Sequence, residues 1–301
     1  MELLKEHYCQ IPTKLLLGQV KDIDLSYRDT FYPFNGLHCA SFFGIVEVVS
    51  TLIEMGLYDI NERDFLGFTP LAWAAHNGHE GVVKLLLERG DVNPDKPDNK
   101  GRTPLSFAAE RGHKRVMEVL LGRDEVNPEN PDNSGQKPLS FAASFGHEQV
   151  VEMLLGREGV NPDIQGSAGR TPLSSAAGGG YERVVRILLG RSEVNPDMPD
   201  YDERTPLSHA ASNGHSGVVK MLLEQEQANP DIPGDCGSTP LSFAAGGEYE
   251  RVVRILLGQS EVNSDMPDYD KRTPLACGFE WAFGSGKNAA RTGTGQSRHL
   301  R

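Results

Sequence analysis

Four histidines stand in register along the chain, His79, His113, His147 and His215, separated by 34 residues or by twice that. Imidazoles on such a grid invite a metal-ligand reading, because neutral histidine nitrogen is a common zinc donor. A second chemistry-bearing set is acidic: Asp95, Asp98, Asp132, Asp163, Asp197, Asp200, Asp202, Asp231, Asp235, Asp265, Asp268 and Asp270 lie in short proline-rich segments. Carboxylates in clusters suit calcium, but no segment follows the D-x-[DN]-x-[DN]-G order, and prolines interrupt each one. A solvated acidic face that attracts a basic partner is the expectation instead. His76 and Glu110 form a third candidate, a base and a carboxylate one interval apart that could exchange protons with a substrate. No activated nucleophile accompanies them. Gly284-Ser285-Gly286-Lys287-Asn288 resembles a phosphate loop, yet Trp281 stands where its first glycine belongs. Asn288 also replaces the hydroxyl residue that would touch magnesium. No cofactor, metal site or catalytic residue is expected.

The elements that position these residues follow from one period. Thr-Pro-Leu begins at Thr69, Thr103, Thr171, Thr205, Thr239 and Thr273, and Lys137-Pro138-Leu139 fills the remaining slot, so the interval is 34 residues throughout. Asn35-Gly36-Leu37 is a degenerate form one unit upstream. Ala74-Ala75, Ala108-Ala109, Ala142-Ala143, Ala176-Ala177, Ala210-Ala211 and Ala244-Ala245 keep the same step. A fixed period of this length signals units stacked in a line.

Within a unit the residue types dictate two short helices. Thr103 is a suitable N-cap and Pro104 a suitable first helical residue, since its missing N–H would be unpaired there anyway. Leu105, Ala108 and Ala109 make an apolar face, and the alanines are small enough to let the next unit approach. Gly112 ends the helix by adopting positive φ. A second helix starts near His113, with Val116, Met117, Val119, Leu120 and Leu121 as its apolar face. The return segment Val126 to Gly135 is rich in Pro, Asn and Asp, which excludes a third long helix and supplies turns. Helices this short are marginal alone, so neighbours must bury each other's faces.

This pattern resembles the ankyrin-repeat family, on the residues Thr69-Pro70-Leu71, Ala74-Ala75, Gly78-His79, Val82-Val83 and Leu86-Leu87 and their recurrences. The resemblance implies an all-α ankyrin-repeat solenoid with β-turn or hairpin fingers. Seven repeats span residues 35–272, after an N-terminal cap or partial repeat at 1–34. A truncated repeat and disordered tail follow at 273–301. Ser106, Ser140, Ser174, Ser208 and Ser242 stand where the family prefers His, while His38 keeps it. Long Asn-Pro-Asp fingers are similar to those of fungal ankyrin arrays. The family resemblance also bears on the histidine grid: helices of stacked units lie about 10 Å apart, too far for neighbouring imidazoles to share a zinc. Tyr181 and Tyr249 occupy the same slot, so packing and hydrogen bonding are expected there.

Composition narrows the partner. With 42 acidic and 30 basic residues the net charge is −12, which opposes binding to nucleic acid or to anionic lipid. No run approaches the ~20 apolar residues of a membrane span, and no signal peptide is expected. Four cysteines, Cys9, Cys39, Cys236 and Cys277, are too scattered for a disulfide framework or a zinc site. They fit an intracellular setting, the cytoplasm ahead of the nucleus. Leu15 to Leu17 would pack the N-terminal cap, and Trp281 and Phe283 would cover the other end.

The family implies binding through the inner helices and finger tips. On this sequence the varying inner positions are His76 and Asn77, Glu110 and Arg111, and Ser144 and Phe145, beside the aromatic column Trp73, Phe107, Phe141 and Phe243. Trp73, His76, Asn77, Glu110, Arg111, Ser144 and Phe145 are therefore the expected patch for a protein partner, with Phe145 as apolar anchor and Arg111 as orienting charge. A noncatalytic scaffold or adaptor is expected, monomeric unless it assembles through an end cap. A spacer in a larger assembly is the alternative, and an enzyme at His76 and Glu110 the third reading. Finally, Tyr181 to Leu189 recurs at Tyr249 to Leu257, and Met198-Pro199-Asp200-Tyr201-Asp202 at Met266 to Asp270, both 68 residues on. Duplicated surfaces do not behave like a unique catalytic centre.

Overall fold

The computed structural model describes residues 34–274 apart from 227 and 235. The expected end caps, Trp281, Phe283, the glycine-lysine segment, Cys9, Cys277 and Asp235 therefore lie outside the described residues. Among those described, the regular structure is helical, arranged as seven pairs. The first helices of the pairs are α1 (Gly36–Phe43), α3 (Pro70–Asn77), α5 (Pro104–Arg111), α7 (Pro138–Ser144), α9 (Pro172–Gly179), α11 (Pro206–Ser212) and α13 (Pro240–Gly246). The second helices are α2 (Val46–Glu54), α4 (Glu80–Leu87), α6 (Lys114–Leu121), α8 (Glu148–Leu155), α10 (Glu182–Leu189), α12 (Ser216–Leu223) and α14 (Glu250–Leu257). Each first helix packs on the next first helix, and each second helix on the next second helix, so two parallel layers run along one line.

Local chemistry sets the helix starts. Thr69, Thr103, Thr171, Thr205 and Thr239 have extended backbone, and each hydroxyl accepts the amide three residues on. Proline then takes the first helical position, where it loses no bond. The serines that replace the family's His form a hydroxyl pair with that threonine, as in Thr103 to Ser106 at 3.2 Å and Thr171 to Ser174 at 3.1 Å. Lys137 has no hydroxyl, and the buried Ser140 Oγ of that unit is left without a protein partner. Gly112 ends α5 at φ 71° and donates to Ala108 and Ala109 carbonyls, the C-terminal role expected of it.

Between units the contact is close and apolar. Ala74, Ala75, Ala108, Ala109, Ala142, Ala143, Ala176 and Ala177 are fully buried, with Leu105, Leu139 and Leu173 beside them. Val116, Met117, Leu120 and Leu121 of α6 are buried in the second layer. One continuous apolar cluster runs from Leu37 to Leu256, so buried surface accumulates along the stack and not around a centre. The gridded histidines stitch neighbours together. Nε2 of His79, His113, His147 and His215 lies 2.8–3.0 Å from the carbonyls of Phe42, His76, Glu110 and Gly178, each one unit back.

The fingers take the turn form, with no strand among the described residues. Asp98 N donates to Arg102 O at 2.9 Å and closes a tight loop. Adjacent tips are joined by single backbone bonds, including Asn133 N to Lys100 O at 2.9 Å. The solvated acidic face expected for these segments needs correction. Asp98, Asp200 and Asp268 are buried, as is Asp64 in the same column. Each carboxylate accepts amides of its own turn, as Asp98 Oδ1 does from Lys100 and Arg102. The second oxygen takes a side-chain donor: Trp73 Nε1 for Asp64, Arg102 for Asp98, His209 Nε2 for Asp200 and Arg272 for Asp268. A buried carboxylate persists only when so satisfied, and these act as internal clasps of the finger. Asp95, Asp163, Asp197 and Asp231 are half-buried and accept the amides of Asn127, Asn195, Asn229 and Asn263 in the following unit.

Candidate partner-binding site

The last turns of α3, α5 and α7 carry the expected patch. Trp73 forms its floor and not its surface. The indole is only 5% exposed, its N–H donates to Asp64 Oδ2 at 2.8 Å, and its ring lies among Phe34, Phe42 and Phe68. An aromatic of this size inside a repeat interface is drawn inward by the area it removes from water. Phe107 and Phe141 are buried too, and Phe243 is half-buried, so the aromatic column serves packing.

His76 lies half-buried on this floor, its ring 5.7–6.1 Å from those of Phe68, Trp73 and Phe107 and near-perpendicular to each. Arg111, one unit on, brings Nη2 to 3.0 Å from His76 Nε2. A guanidinium only donates, so Nε2 accepts and the ring proton sits on Nδ1, facing Asn77 Oδ1 at 3.4 Å. Burial, followed by the Arg111 charge, holds the imidazole below its ordinary pKa, so the neutral form that this bond needs is favoured. Asn77 in turn donates to Trp73 O at 2.9 Å. Arg111 is exposed but oriented by this cross-unit contact.

Glu110 is turned to another cation. Its Oε2 is 3.5 Å from Arg102 Nη1, while Arg102 grips Asp98 Oδ2 at 2.9 Å and covers the Phe107 ring at 4.5 Å. The proposed acid–base couple is thus not assembled: Arg111 occupies the His76 nitrogen, and Arg102 occupies the Glu110 carboxylate. Ser144 Oγ donates back to Ser140 O at 2.7 Å, which satisfies it inside its own helix. Phe145 closes α7 with non-helical backbone and stands 51% exposed. Its ring stacks beside His147 with centroids 6.4 Å apart.

The structure therefore brings His76, Asn77 and Arg111 together over Trp73, places Glu110 beside Arg102, and stands Phe145 in the next unit. Among the described residues no group of three or more His, Cys, Asp or Glu could hold a metal ion, and no helix is long and apolar enough to cross a membrane. What the sequence reading missed is the set of clasps under the fingers. Their signal was present, since Asp64, Asp98, Asp200 and Asp268 each precede the Thr of a Thr-Pro-Leu triplet by five residues. The donors vary in type and position and form no motif.

Paired helices, threonine caps, alanine contacts and turn fingers repeat in one register. A family model for ankyrin repeats (3 copies) matches residues 8–96, 91–166 and 154–233. The chain belongs to the ankyrin-repeat family. No curated protein matches it. Ankyrin repeats are generally protein–protein interaction modules, and in this ankyrin array the oriented Arg111 and the exposed Phe145 are groups of the kinds enriched at such contacts.

Proposed function

We propose that the chain is a noncatalytic scaffold or adaptor that holds a partner protein across the C-terminal ends of α3, α5 and α7. The observation that carries this reading is the pairing of a guanidinium fixed by His76 with a phenyl ring left half in water one unit on. Fixing a cation before binding lowers the ordering cost, and an exposed aromatic supplies area. Asn77, Glu110, Arg111 and Phe145 make the contact, His76 aims the arginine, and Trp73 supports them from below. The repeats at 35–272 form the binding body. An acidic chain of net charge −12 favours a partner with basic surface around the contact.

The test is affinity capture from the native organism with the intact chain and with Phe145→Ala and Arg111→Ala as parallel baits. A partner retained by the parent chain should be lost or weakened about tenfold or more by each variant, at unchanged thermal unfolding. Equal retention by all three baits would remove the patch and leave the spacer reading.

A further inference from the structure

Two fingers differ from the rest. Their tips carry Tyr201 and Tyr269, which are 74% and 71% exposed and are the most exposed large apolar side chains among the described residues. Neither ring is loose. Tyr201 lies against Gly169 of the preceding tip, where an added Cβ would overlap the ring, and Tyr269 lies against Gly237, whose Cβ would come 2.7 Å from Cδ1. The backbone under each ring is tied as well, with Tyr201 N donating to Ala168 O at 3.1 Å and Tyr269 N to Cys236 O at 3.2 Å. One side of each ring therefore rests on a glycine pedestal and much of the remainder meets water. Equivalent pedestals at Gly67 and Gly101 carry Asn99 and Asn133 instead.

The same two fingers break a second pattern. Gly67, Gly101, Gly135, Gly169 and Gly237 take positive φ at the tip. Glu203 and Lys271 stand at that position in the tyrosine fingers, with φ 57° and 62°, a conformation that residues with a side chain rarely adopt. Such outliers point toward function when the surrounding structure holds them. Here they set charged groups two residues beyond each ring. Around the first tip, Asp202 and Glu203 are both exposed; around the second, Asp270 is exposed with Lys271 and with Arg272, which pairs with Asp270 at 2.8 Å.

We propose that Tyr201 and Tyr269 form a two-point docking edge for a cationic segment of a partner protein. Arginine or lysine groups would lie over the open ring face, with Asp202 and Glu203 as counter-charges at the first tip. A pinned tyrosine offers large contact area with little rotamer entropy left to lose. The first tip is the stronger of the two: Asp202 and Glu203 are exposed, while Arg204 lies over the Phe243 ring and Arg170 faces Asp200. The rings sit 68 residues apart, two repeat units, so a segment with two basic clusters gains from engaging both. This edge is formed by finger tips and is independent of the α3, α5 and α7 patch.

The experiment uses the full chain and two synthetic peptides, one bearing a single Arg-Arg cluster and one bearing two clusters joined by a flexible Gly-Ser linker. A version with glutamate replacing arginine serves as control, and binding is read by fluorescence anisotropy at low salt. The two-cluster peptide should bind about tenfold or more tighter than the single-cluster one. Tyr201→Ala and Tyr269→Ala should each reduce it to the single-cluster affinity, whereas Tyr201→Phe, Tyr269→Phe and Phe145→Ala should leave it unchanged. Asp202→Asn with Glu203→Gln should weaken both peptides, and this variant carries the test if a tyrosine replacement perturbs folding by circular dichroism. Equal affinity of the two arginine peptides, binding of the glutamate peptide, or full affinity after either Tyr→Ala change would overturn the proposal.

Discussion

Gly112 closes α5 where one unit meets the next, so a single methyl group there probes the stacking. Its φ of 71° is a left-handed conformation that costs an alanine about 1–2 kcal/mol. The new Cβ would also meet the His147 ring, with Cε1 at 2.7 Å. His147 cannot retreat without loosening its 2.9 Å bond to Glu110 O, and a lost hydrogen bond of that kind costs about 0.5–1.5 kcal/mol. Gly112→Ala should therefore destabilise by about 1.5–3.5 kcal/mol. Gly135 supplies the comparison, with φ 79° and open space around its Cβ. Gly135→Ala should show the conformational cost alone, about 1–2 kcal/mol. Urea unfolding followed by circular dichroism gives both values from midpoint and slope. In a His147→Ala background the cost of Gly112→Ala should shrink to that of Gly135→Ala, because the colliding ring is gone. Identical costs at the two glycines in the parent chain, or no coupling between Gly112 and His147, would refute the ring contact as a determinant of stacking.

Trp73→Phe keeps an aromatic ring but removes the donor to Asp64 Oδ2, so urea unfolding should show a loss of about 1.5–3 kcal/mol; a change under ~0.5 kcal/mol would mean the clasp contributes nothing. Ala108→Leu forces bulk into a fully buried contact between α3, α5 and α7 and should cost about 1–3 kcal/mol, which an unchanged thermal unfolding curve would contradict. Acidification acts through His38, His76, His113 and His209, whose pKa values burial holds below the ordinary 6.5. The unfolded chain then takes up protons first as pH falls through 6.5, so the urea midpoint should decline from pH 7.5 toward pH 5.5. Asp95, Asp163 and Asp197 oppose this closer to pH 4, since burial raises their pKa above 3.8 and the native state protonates first there. A midpoint that rises between pH 7.5 and pH 5.5 would be inconsistent with neutral buried imidazoles.

The repeat unit was legible because its signals are local. A threonine cap, a proline at the first helical position and a glycine at the end act within a few residues, and the 34-residue recurrence of these signs leaves little freedom in how units stack. The histidine grid was readable for the same reason, since tyrosine at two of its positions pointed away from metal. Burial of individual charges was not readable. Asp98 and Asp202 both look like acidic finger residues, yet one is clasped by Arg102 inside its turn and the other faces water.

Sequence alone determined the helical pairs, their register and the linear growth of the core, because backbone geometry and apolar spacing specify these within each unit. Tertiary structure decided which side chains meet across units. Arg111 reaches His76 from 35 residues away, His147 reaches Glu110 O from 37, and Tyr201 rests on Gly169 from 32. Those distances along the chain collapse only when neighbouring units dock, and the small offsets among them decide whether a side chain becomes floor, clasp or exposed contact.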